Sequence, residues 1–304
     1  MVSFIYDRFI SYSSYNKAMK LKRIYIEITN VCDLSCSFCK KNQRSPEFMS
    51  LDFFEEVLKQ AVSYTPYIYL HVQGEPLLHP EIHKILDYCL TYGAKVTLVT
   101  NGTFLAPQLI THPSLYKVSV SLQSMDSRSP DSIDSYLSRI LETAETASRQ
   151  SSPFIELRLW RNDLRNTSVG KKLMKELEQR YDIQETVRKG SIHLLPHVFM
   201  SFDNEFEWPA LHEVRSTQGT CLGGRNQLAV LSNGMVVPCC LDADGLIPLG
   251  NLHESELSYI LESDRYQKLI HGFQTNRIEE PLCQSCTYRY RFDSSDHHDT
   301  DPLP

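Results

Sequence analysis

Strand-like and helix-like segments alternate along the first 195 residues, and this alternation constrains the fold more than any other feature of the sequence. Alternating apolar residues predict strands at 23–29, 67–72, 95–100, 115–122, 154–160 and 192–195, and apolar stripes predict helices at 51–64, 80–92, 131–148 and 171–181. Such a series predicts a parallel sheet, because each helix returns the chain to the start of the next strand. We expect an open or closed barrel with functional residues at the carboxyl ends of its strands, and a flat doubly wound sheet is the alternative.

A different pattern follows residue 200 and indicates a smaller second domain. Two short apolar runs, at 227–231 and 235–238, flank the turn residues Asn233 and Gly234 and predict a β-hairpin. A helix is expected at 255–271, and the acidic end of the chain is expected to be disordered. The sequence therefore divides into an N-terminal extension (1–22), a barrel domain (23–200), a small second domain (201–290) and a tail (291–304).

Composition and charge exclude several classes of function. The chain has 31 Lys and Arg residues against 37 Asp and Glu, so its formal net charge of -6 provides no positive field for nucleic acid. No run reaches the roughly 18 apolar residues that a membrane span requires, and the amino terminus lacks the pattern of an export signal. We therefore expect a cytoplasmic protein that has neither a nucleic acid nor a membrane as its partner.

Nine cysteines stand out from this ordinary composition, and eight of them fall into two groups. The remaining one, Cys89, lies on the apolar stripe of a predicted helix and is interpreted as a small buried hydrophobic residue. An odd number of cysteines in a long chain without an export signal argues against a framework of disulfides. In a reducing compartment, grouped thiolates favour metal binding.

The first group consists of Cys32, Cys36 and Cys39, in the loop that follows the first predicted strand. Three thiolates within eight residues can hold three corners of one iron–sulfur cluster and leave the fourth iron open for another molecule. A structural zinc site would instead be closed by four protein ligands. A zinc knuckle is the alternative interpretation of this loop.

This loop resembles the cysteine motif of the radical S-adenosylmethionine (SAM) superfamily, in which an aromatic residue precedes the third cysteine, as Phe38 does here. Residues 73–76, Gln-Gly-Glu-Pro, resemble the Gly-Gly-Glu-Pro stretch of that family, with Gln73 in place of the first glycine. Thr100, Asn101 and Gly102 end the third predicted strand, where the family has a further motif. The resemblance implies an α/β fold, a partial (β/α)6 radical SAM barrel.

The resemblance also implies a [4Fe–4S] cluster, S-adenosylmethionine (AdoMet) and a set of residues that bind AdoMet. Phe38 would pack on the adenine, and Gly74 and Glu75 would receive the methionyl amino group. Ser121 or Gln123 would reach the ribose, and Arg158 would pair with the carboxylate. Alternation along 154–160 places Glu156, Arg158 and Trp160 on the face opposite the apolar one, so Glu156 is the candidate catalytic base.

The second group resembles the SPASM or twitch module of radical SAM enzymes, a small C-terminal α+β domain that holds auxiliary iron–sulfur clusters. Its ligands would be Cys221, Cys239, Cys283 and Cys286, and the short remaining chain implies one auxiliary cluster. The spacing from Gly234 favours Cys239 over Cys240 as the ligand, although both alternatives stay open. A four-cysteine zinc ribbon is the other interpretation of this site.

From the resemblance we expect a radical SAM oxidoreductase with two [4Fe–4S] clusters. It would cleave AdoMet to a 5′-deoxyadenosyl radical and abstract hydrogen from a peptide or small-molecule substrate, for net oxidation or crosslinking. The resemblance implies an electron donor such as flavodoxin or ferredoxin. The alternatives are a nonenzymatic iron–sulfur or zinc protein with an electron-transfer or structural role, and a peptide epimerase of the same superfamily.

Overall fold

The computed structural model describes residues 21–40, 43–161, 166–181, 183, 190–211 and 214–292. Except for residues 21–22 and 291–292, the predicted N-terminal extension (1–22) and the predicted disordered tail (291–304) lie outside the described residues. No helix in these ranges is long and apolar enough to cross a membrane.

The strands are short and most of them are buried. They are β1 (Arg23–Ile26), β2 (Tyr67–Tyr69), β3 (Lys95–Thr100), β4 (Leu115–Ser121), β5 (Phe154–Leu159), β6 (Ser191–Leu195), β7 (Val198–Phe202), β8 (Gln227–Val230), β9 (Met235–Val237) and β10 (Gly250–Asn251). The α-helices are α1 (Leu51–Val62), α2 (Ile82–Thr91), α3 (Ile133–Gln150), α4 (Ser168–Arg180), α5 (Leu257–Glu262), α6 (Asp264–Gln274) and α7 (Pro281–Ser285).

One sheet contains all ten of these strands, in the order β10-β9-β8-β1-β2-β3-β4-β5-β7-β6. Each neighbouring pair from β8 to β7 is parallel, whereas β6, β9 and β10 pair antiparallel at the two edges. Helices α1, α2 and α3 connect successive parallel strands and bury apolar side chains such as Phe54, Leu86 and Ile140 in the main core. The predicted α/β fold, a partial barrel built on parallel strands, is confirmed.

The last strand of the barrel differs from the one predicted. The sixth parallel strand in sequence is β7, which pairs with β5, while the predicted strand at 192–195 is β6, an antiparallel edge strand. His197 has a positive φ of 63° between them, so the chain turns back at once instead of passing through a helix. Two adjacent apolar runs joined by a tight turn therefore form a hairpin.

The second domain begins inside the same sheet. Strand β8 lies parallel to β1, with Ile24 opposite Leu228, and β9 and β10 extend the sheet beyond it. The helix predicted at 255–271 is two helices, because Ser263 ends α5 and its hydroxyl caps α6 by accepting a hydrogen bond from the Tyr266 N–H at 3.3 Å. The division at residue 200 stays a prediction.

Candidate active site

A cavity of about 1270 Å³ opens at the carboxyl ends of the parallel strands, and both cysteine groups line it. Its wall contains the candidate residues Phe38, Gly74, Glu75, Ser121, Gln123, Glu156 and Arg158, together with Cys32, Cys36, Cys39, Cys221, Cys239, Cys240, Cys283 and Cys286. Cys89 is fully buried on α2, as the sequence predicts for a small apolar side chain. Every candidate site residue therefore faces one common space.

The three cysteines that follow β1 lie close enough to influence one another electrostatically. Burial, together with the neighbouring Cys36 and Cys32, raises the pKa of the Cys39 thiol to about 11. The Asn101 side-chain amide lies 3.8 Å from the Cys32 sulfur and donates a hydrogen bond to Asp33 at 2.7 Å. Thiolates placed this near each other repel unless a positive centre lies among them, so the donor set fits an iron–sulfur cluster.

Contacts from both domains hold this cysteine loop in place. The indole N–H of Trp208 donates to the Phe38 carbonyl at 2.9 Å. Lys40, directly after Cys39, pairs with Asp244 of the second domain. The Gln73 side-chain amide donates to the Lys40 carbonyl at 3.2 Å, and its own oxygen is buried without a partner among the described residues.

The backbone of Gly74 and Glu75 packs closely against the backbone of residues 29–31, at the start of the cysteine loop. Gly74 has a φ of +73°, and the Glu75 N–H donates to the Val31 carbonyl at 2.8 Å. A Cβ atom on residue 74 would lie 2.5 Å from the Thr29 carbonyl oxygen, so only glycine fits there. This close backbone approach places the carboxylate of Glu75 in the cavity wall near Cys32.

The Glu75 carboxylate is almost fully enclosed and accepts three hydrogen bonds. The Thr100 hydroxyl and the Asn101 N–H each donate at 2.7 Å, and the Leu77 N–H donates at 3.0 Å. Burial raises the pKa of Glu75 to about 7 despite these three donors. A cationic group of a bound molecule would favour the ionised form of a carboxyl buried in this way.

Three of the predicted AdoMet-binding residues lie at the ends of β4 and β5. Arg158 donates to the Ser121 hydroxyl at 2.6 Å, and its guanidinium lies 4.5 Å from the Trp160 ring centre. Burial lowers the pKa of Arg158, although it remains a strong cation. Gln123 is only 6% exposed, and its side-chain oxygen has no hydrogen-bond partner within the described residues. These groups offer a cation and an acceptor to a ligand.

Glu156 lies deeper in the barrel, where other side chains already hold its carboxylate. Lys117 forms an ion pair with it at 2.9 Å, and the hydroxyls of Ser119 and Ser201 donate at 2.6 and 2.9 Å. Burial acts to raise the pKa of Glu156, but Lys117 and Arg158 outweigh it and leave the pKa below its usual value. The contacts favour a role in orienting a substrate, and the role of catalytic base stays a prediction.

The four cysteines of the second group that are predicted as ligands interact with one another. Burial, with a smaller contribution from Cys286, raises the pKa of Cys221 to about 11. The pKa values of Cys239 and Cys283 are raised strongly, first by burial and then by neighbouring thiols that include Cys221 in both cases. The Gly223 N–H lies 3.4 Å from the Cys221 sulfur, a contact that favours a thiolate.

Cys240 differs from these four cysteines in the groups that act on its thiol. The Tyr25 hydroxyl and the Cys240 sulfur share a hydrogen bond, and the charged neighbours of Cys240 are Arg23 and Arg158. Its surroundings are therefore those of the barrel lumen, whereas Cys239 has Cys221 and Cys283 around it. These neighbours favour Cys239 as the ligand, and the choice between Cys239 and Cys240 stays a prediction.

Within the described ranges, no three His, Cys, Asp or Glu side chains are arranged to hold a single metal ion. The donors at both sites are thiolates, the ligands that iron–sulfur clusters take, and a cluster distributes its thiolates over separate corners. The residues present at the two sites therefore fit iron–sulfur clusters.

Two residues beside this site, Glu27 and Arg44, were not predicted from the sequence. Glu27 is fully buried, and Arg44 donates to both of its carboxylate oxygens, at 2.7 and 2.6 Å. A charged residue within the apolar run at 23–29 was the available signal, since a buried carboxylate requires a partner.

Two models of known protein families match the two segments of the chain that carry the cysteine groups. The model of the radical SAM superfamily matches residues 26–156, and the model of the SPASM iron–sulfur cluster-binding domain matches residues 221–287. The two matches contain all seven cysteines predicted as ligands. The first domain implies a [4Fe–4S] cluster with AdoMet, and the second implies auxiliary iron–sulfur binding.

Several known proteins are similar to this chain over most of their length. The AdoMet-dependent heme synthase of Methanosarcina barkeri is 23% identical over 325 residues, which cover 86% of this chain and 87% of that protein. The structure of BtrN in complex with AdoMet and 2-DOIA has a TM-score of 0.60 at 16% identity and covers 92% of this chain and 97% of that one. The structure of anSMEcpe with bound AdoMet and the Kp18Cys peptide has a TM-score of 0.58 at 15% identity and covers 90% and 91%. At these identities the two structures show the fold alone.

Proposed function

Because this chain belongs to the radical SAM superfamily and carries a SPASM iron–sulfur domain, we propose that it is an oxidoreductase that removes hydrogen from an unactivated carbon of a peptide. The observation that carries this proposal is that both cysteine groups line one cavity of about 1270 Å³. A cavity of this size exceeds the roughly 300–1,000 Å³ typical of a single small ligand, so it has room for AdoMet and part of a substrate. The likeness to anSMEcpe, which binds a peptide, supports the choice of substrate class.

The cofactors would supply the radical, and the protein would supply binding and orientation. When bound, the first cluster and AdoMet provide a 5′-deoxyadenosyl radical that takes a hydrogen atom from the substrate. Cys32, Cys36 and Cys39 would hold that cluster. Glu75 would pair with the amino group of AdoMet, and Arg158 would receive its carboxylate.

The remaining groups of the wall would hold the substrate and exclude water. Trp208 closes over the cysteine loop through its bond to the Phe38 carbonyl, and Phe206 packs against Trp208 with ring centres 5.2 Å apart. The Lys117–Glu156 pair offers one cation and one anion to the polar ends of a substrate. Water excluded from such a site cannot weaken these contacts.

A net oxidation also requires a route for electrons. Removal of a hydrogen atom and a proton from the substrate leaves one electron to be accepted, and Cys221, Cys239, Cys283 and Cys286 would hold the auxiliary cluster suited to that role. We assign the supply of reducing electrons to a donor such as flavodoxin or ferredoxin. Nine free thiols fit a reducing compartment, so the cytoplasm is the proposed location.

The test is anaerobic reconstitution with iron and sulfide, followed by addition of dithionite and AdoMet. We expect release of 5′-deoxyadenosine by the native protein, whereas a zinc or purely electron-transferring protein would release none. Coexpression with candidate peptides then separates the reactions by mass spectrometry. Loss of two hydrogens supports oxidation, while an unchanged mass with inverted chirality would identify the second candidate, a peptide epimerase.

BtrN was solved with 2-DOIA bound, and this favours a second candidate substrate class, a small molecule, within the same proposed reaction. The same assay distinguishes the two classes. A peptide substrate should stimulate release of 5′-deoxyadenosine, whereas a small-molecule enzyme would respond only to a metabolite fraction freed of peptides.

A further inference from the structure

The side chain of Glu27 is placed to connect three segments of the molecule that the sequence separates widely. It follows β1 directly, and β1 lies between β2 and β8 in the sheet. Its carboxylate accepts a hydrogen bond from the Gln73 N–H at 3.1 Å and from the Ser232 N–H at 3.0 Å. Gln73 begins the stretch that carries Gly74 and Glu75, and Ser232 begins the hairpin turn of the SPASM domain.

Arg44 completes the connection from the exit of the cysteine loop. One of its terminal nitrogens bonds to both oxygens of Glu27, the other lies 3.3 Å from the Ser232 hydroxyl, and its Nε donates to the Ala243 carbonyl at 2.8 Å. The side chain of Glu27 is fully buried and that of Arg44 is 12% exposed. Water therefore does not compete with these bonds.

Because the buried carboxylate of Glu27 accepts hydrogen bonds from two backbone N–H groups and from Arg44, it fixes the distances between the segments that carry these donors. If the Glu27 side chain were displaced or removed, the buried N–H groups of Gln73 and Ser232 would lose their acceptor, which would destabilise this arrangement. The position of Gly74 and Glu75 relative to the cysteine loop thus depends on this pair, and so does the position of the SPASM hairpin.

We propose that Glu27 and Arg44 are positioning residues for AdoMet binding, which act by holding the Gly74–Glu75 stretch, the cysteine loop and the SPASM hairpin in one register. This inference rests on the proposed function for its binding readout. Neither residue is assigned a contact with AdoMet, with a cluster or with the substrate. Their effect passes through the backbone at Gln73 and through the loop that ends at Arg44.

The principal variant is Glu27→Gln, since an amide has one oxygen and cannot accept from both backbone N–H groups and Arg44. We expect the dissociation constant of AdoMet for the reconstituted protein to rise about tenfold, because a buried hydrogen bond to a charged group is lost. Release of 5′-deoxyadenosine should fall at low AdoMet and recover at saturating AdoMet, so that KM changes more than kcat. Iron content should stay at the native value.

A second variant and a matched control keep this test decisive if Glu27→Gln folds poorly. Arg44→Lys retains the charge but loses the bond to Ala243, and we expect an increase in the AdoMet dissociation constant of about threefold. Arg265 and Glu280 form a similar two-bond pair in the SPASM domain, at 2.8 and 2.8 Å. Arg265→Lys should leave the AdoMet dissociation constant within about twofold of native.

Amide hydrogen exchange of the protein without cofactors gives a readout that does not depend on AdoMet cleavage. Glu27→Gln should speed exchange at Gln73 and Ser232 while leaving the β3 and β4 amides as protected as in the native protein. Unchanged exchange at both amides would overturn the positioning role and leave the proposed function standing. Equal increases in the AdoMet constant for Arg44→Lys and Arg265→Lys would show general destabilisation and would overturn it as well. If the native protein fails to cleave AdoMet, the proposed function fails, and the exchange result still decides the role of Glu27.

Discussion

The carbonyl oxygen of Thr29 lies 2.5 Å from the position that a Cβ atom on Gly74 would occupy. The backbone at the start of the cysteine loop is therefore in direct contact with the backbone of residues 73–75. Two hydrogen bonds add to this contact. The Glu75 N–H donates to Val31, and the Asn101 N–H donates to the Glu75 carboxylate. Even a methyl group at residue 74 would force these segments apart.

We therefore expect Gly74→Ala to destabilise the fold by about 2–4 kcal/mol, the sum of left-handed backbone strain and a clash with fixed backbone atoms. The binding of AdoMet should weaken with it. Gly93→Ala is the matched control, because Gly93 also has a positive φ, +69°, but nothing lies within 4 Å of its Cβ position. The control should cost about 1 kcal/mol, measured by chemical denaturation. Equal losses in the free energy of unfolding for the two variants would contradict the close backbone contact at Gly74.

Replacement of Cys36 by alanine should abolish the release of 5′-deoxyadenosine, because two thiolates would remain for a cluster that needs three. Reconstituted native protein should contain about eight iron atoms per chain, and Cys36→Ala about four. Cys89→Ala removes a thiol from the buried face of α2 and is expected to keep the native iron content and activity. Iron and sulfide analysis together with the cleavage assay decides the outcome, and full activity in Cys36→Ala would refute the assignment.

The adjacent cysteines of the SPASM domain should behave differently. Cys239 is surrounded by Cys221 and Cys283, so Cys239→Ala should lose the auxiliary cluster and retain about four iron atoms. Cys240 shares a hydrogen bond with Tyr25 in the lumen, so Cys240→Ala should retain about eight iron atoms. Electron paramagnetic resonance of the reduced proteins separates the two cluster signals. The reverse pattern would make Cys240 the ligand.

The ion pair of Glu156 and Lys117 gives a prediction about pH. Since the pKa of Glu156 lies below its ordinary value of 4.5, the stability contributed by the ionised carboxylate is present above pH 4.5 and is lost as the pH falls through the folded-state pKa. Glu156→Gln should therefore cost about 3 kcal/mol between pH 6 and pH 8, with a smaller difference near pH 3.5. Urea denaturation across this range measures it.

The control for this pH series is Glu81→Gln, which removes an exposed pair with Lys84. We expect no measurable change in its denaturation midpoint at any of these pH values, because exposed pairs contribute little. A pH-independent loss in Glu156→Gln would instead indicate a packing defect, and the ion pair would then not explain the stability of this region.

The sequence predicted the barrel well where the signal is local. Strands β1 to β5 lie where alternating apolar residues predict them, since one face of each packs on the core. The break at Ser263 was missed, although a serine followed by Asp264 is a common start of a helix. An apolar stripe that continues through the break concealed it.

Other features depend on contacts between distant residues and have no local signal. The pairing of β8 with β1 joins residues 227–230 to residues 23–26, and nothing in either segment specifies the other. For the Glu27–Arg44 pair, the apolar run at 23–29 signals a buried carboxylate, but nothing in it identifies Arg44 as the partner. The cysteine groups were easier to predict, because the identity and spacing of the ligands carry the chemistry in themselves.

The seam between β1 and β8 also affects how such a chain is made. The first strand leaves the ribosome long before the strand that covers its open side, so the barrel remains incomplete until the SPASM segment has been synthesised. A chain cut after β7 would expose unpaired backbone N–H and C=O groups along one side of β1. Another extended peptide could pair with these groups, so such a fragment is expected to aggregate. The part of the chain that matches the radical SAM superfamily is in this sense not a free-standing unit, because its sheet is complete only when β8 of the SPASM part has paired with β1.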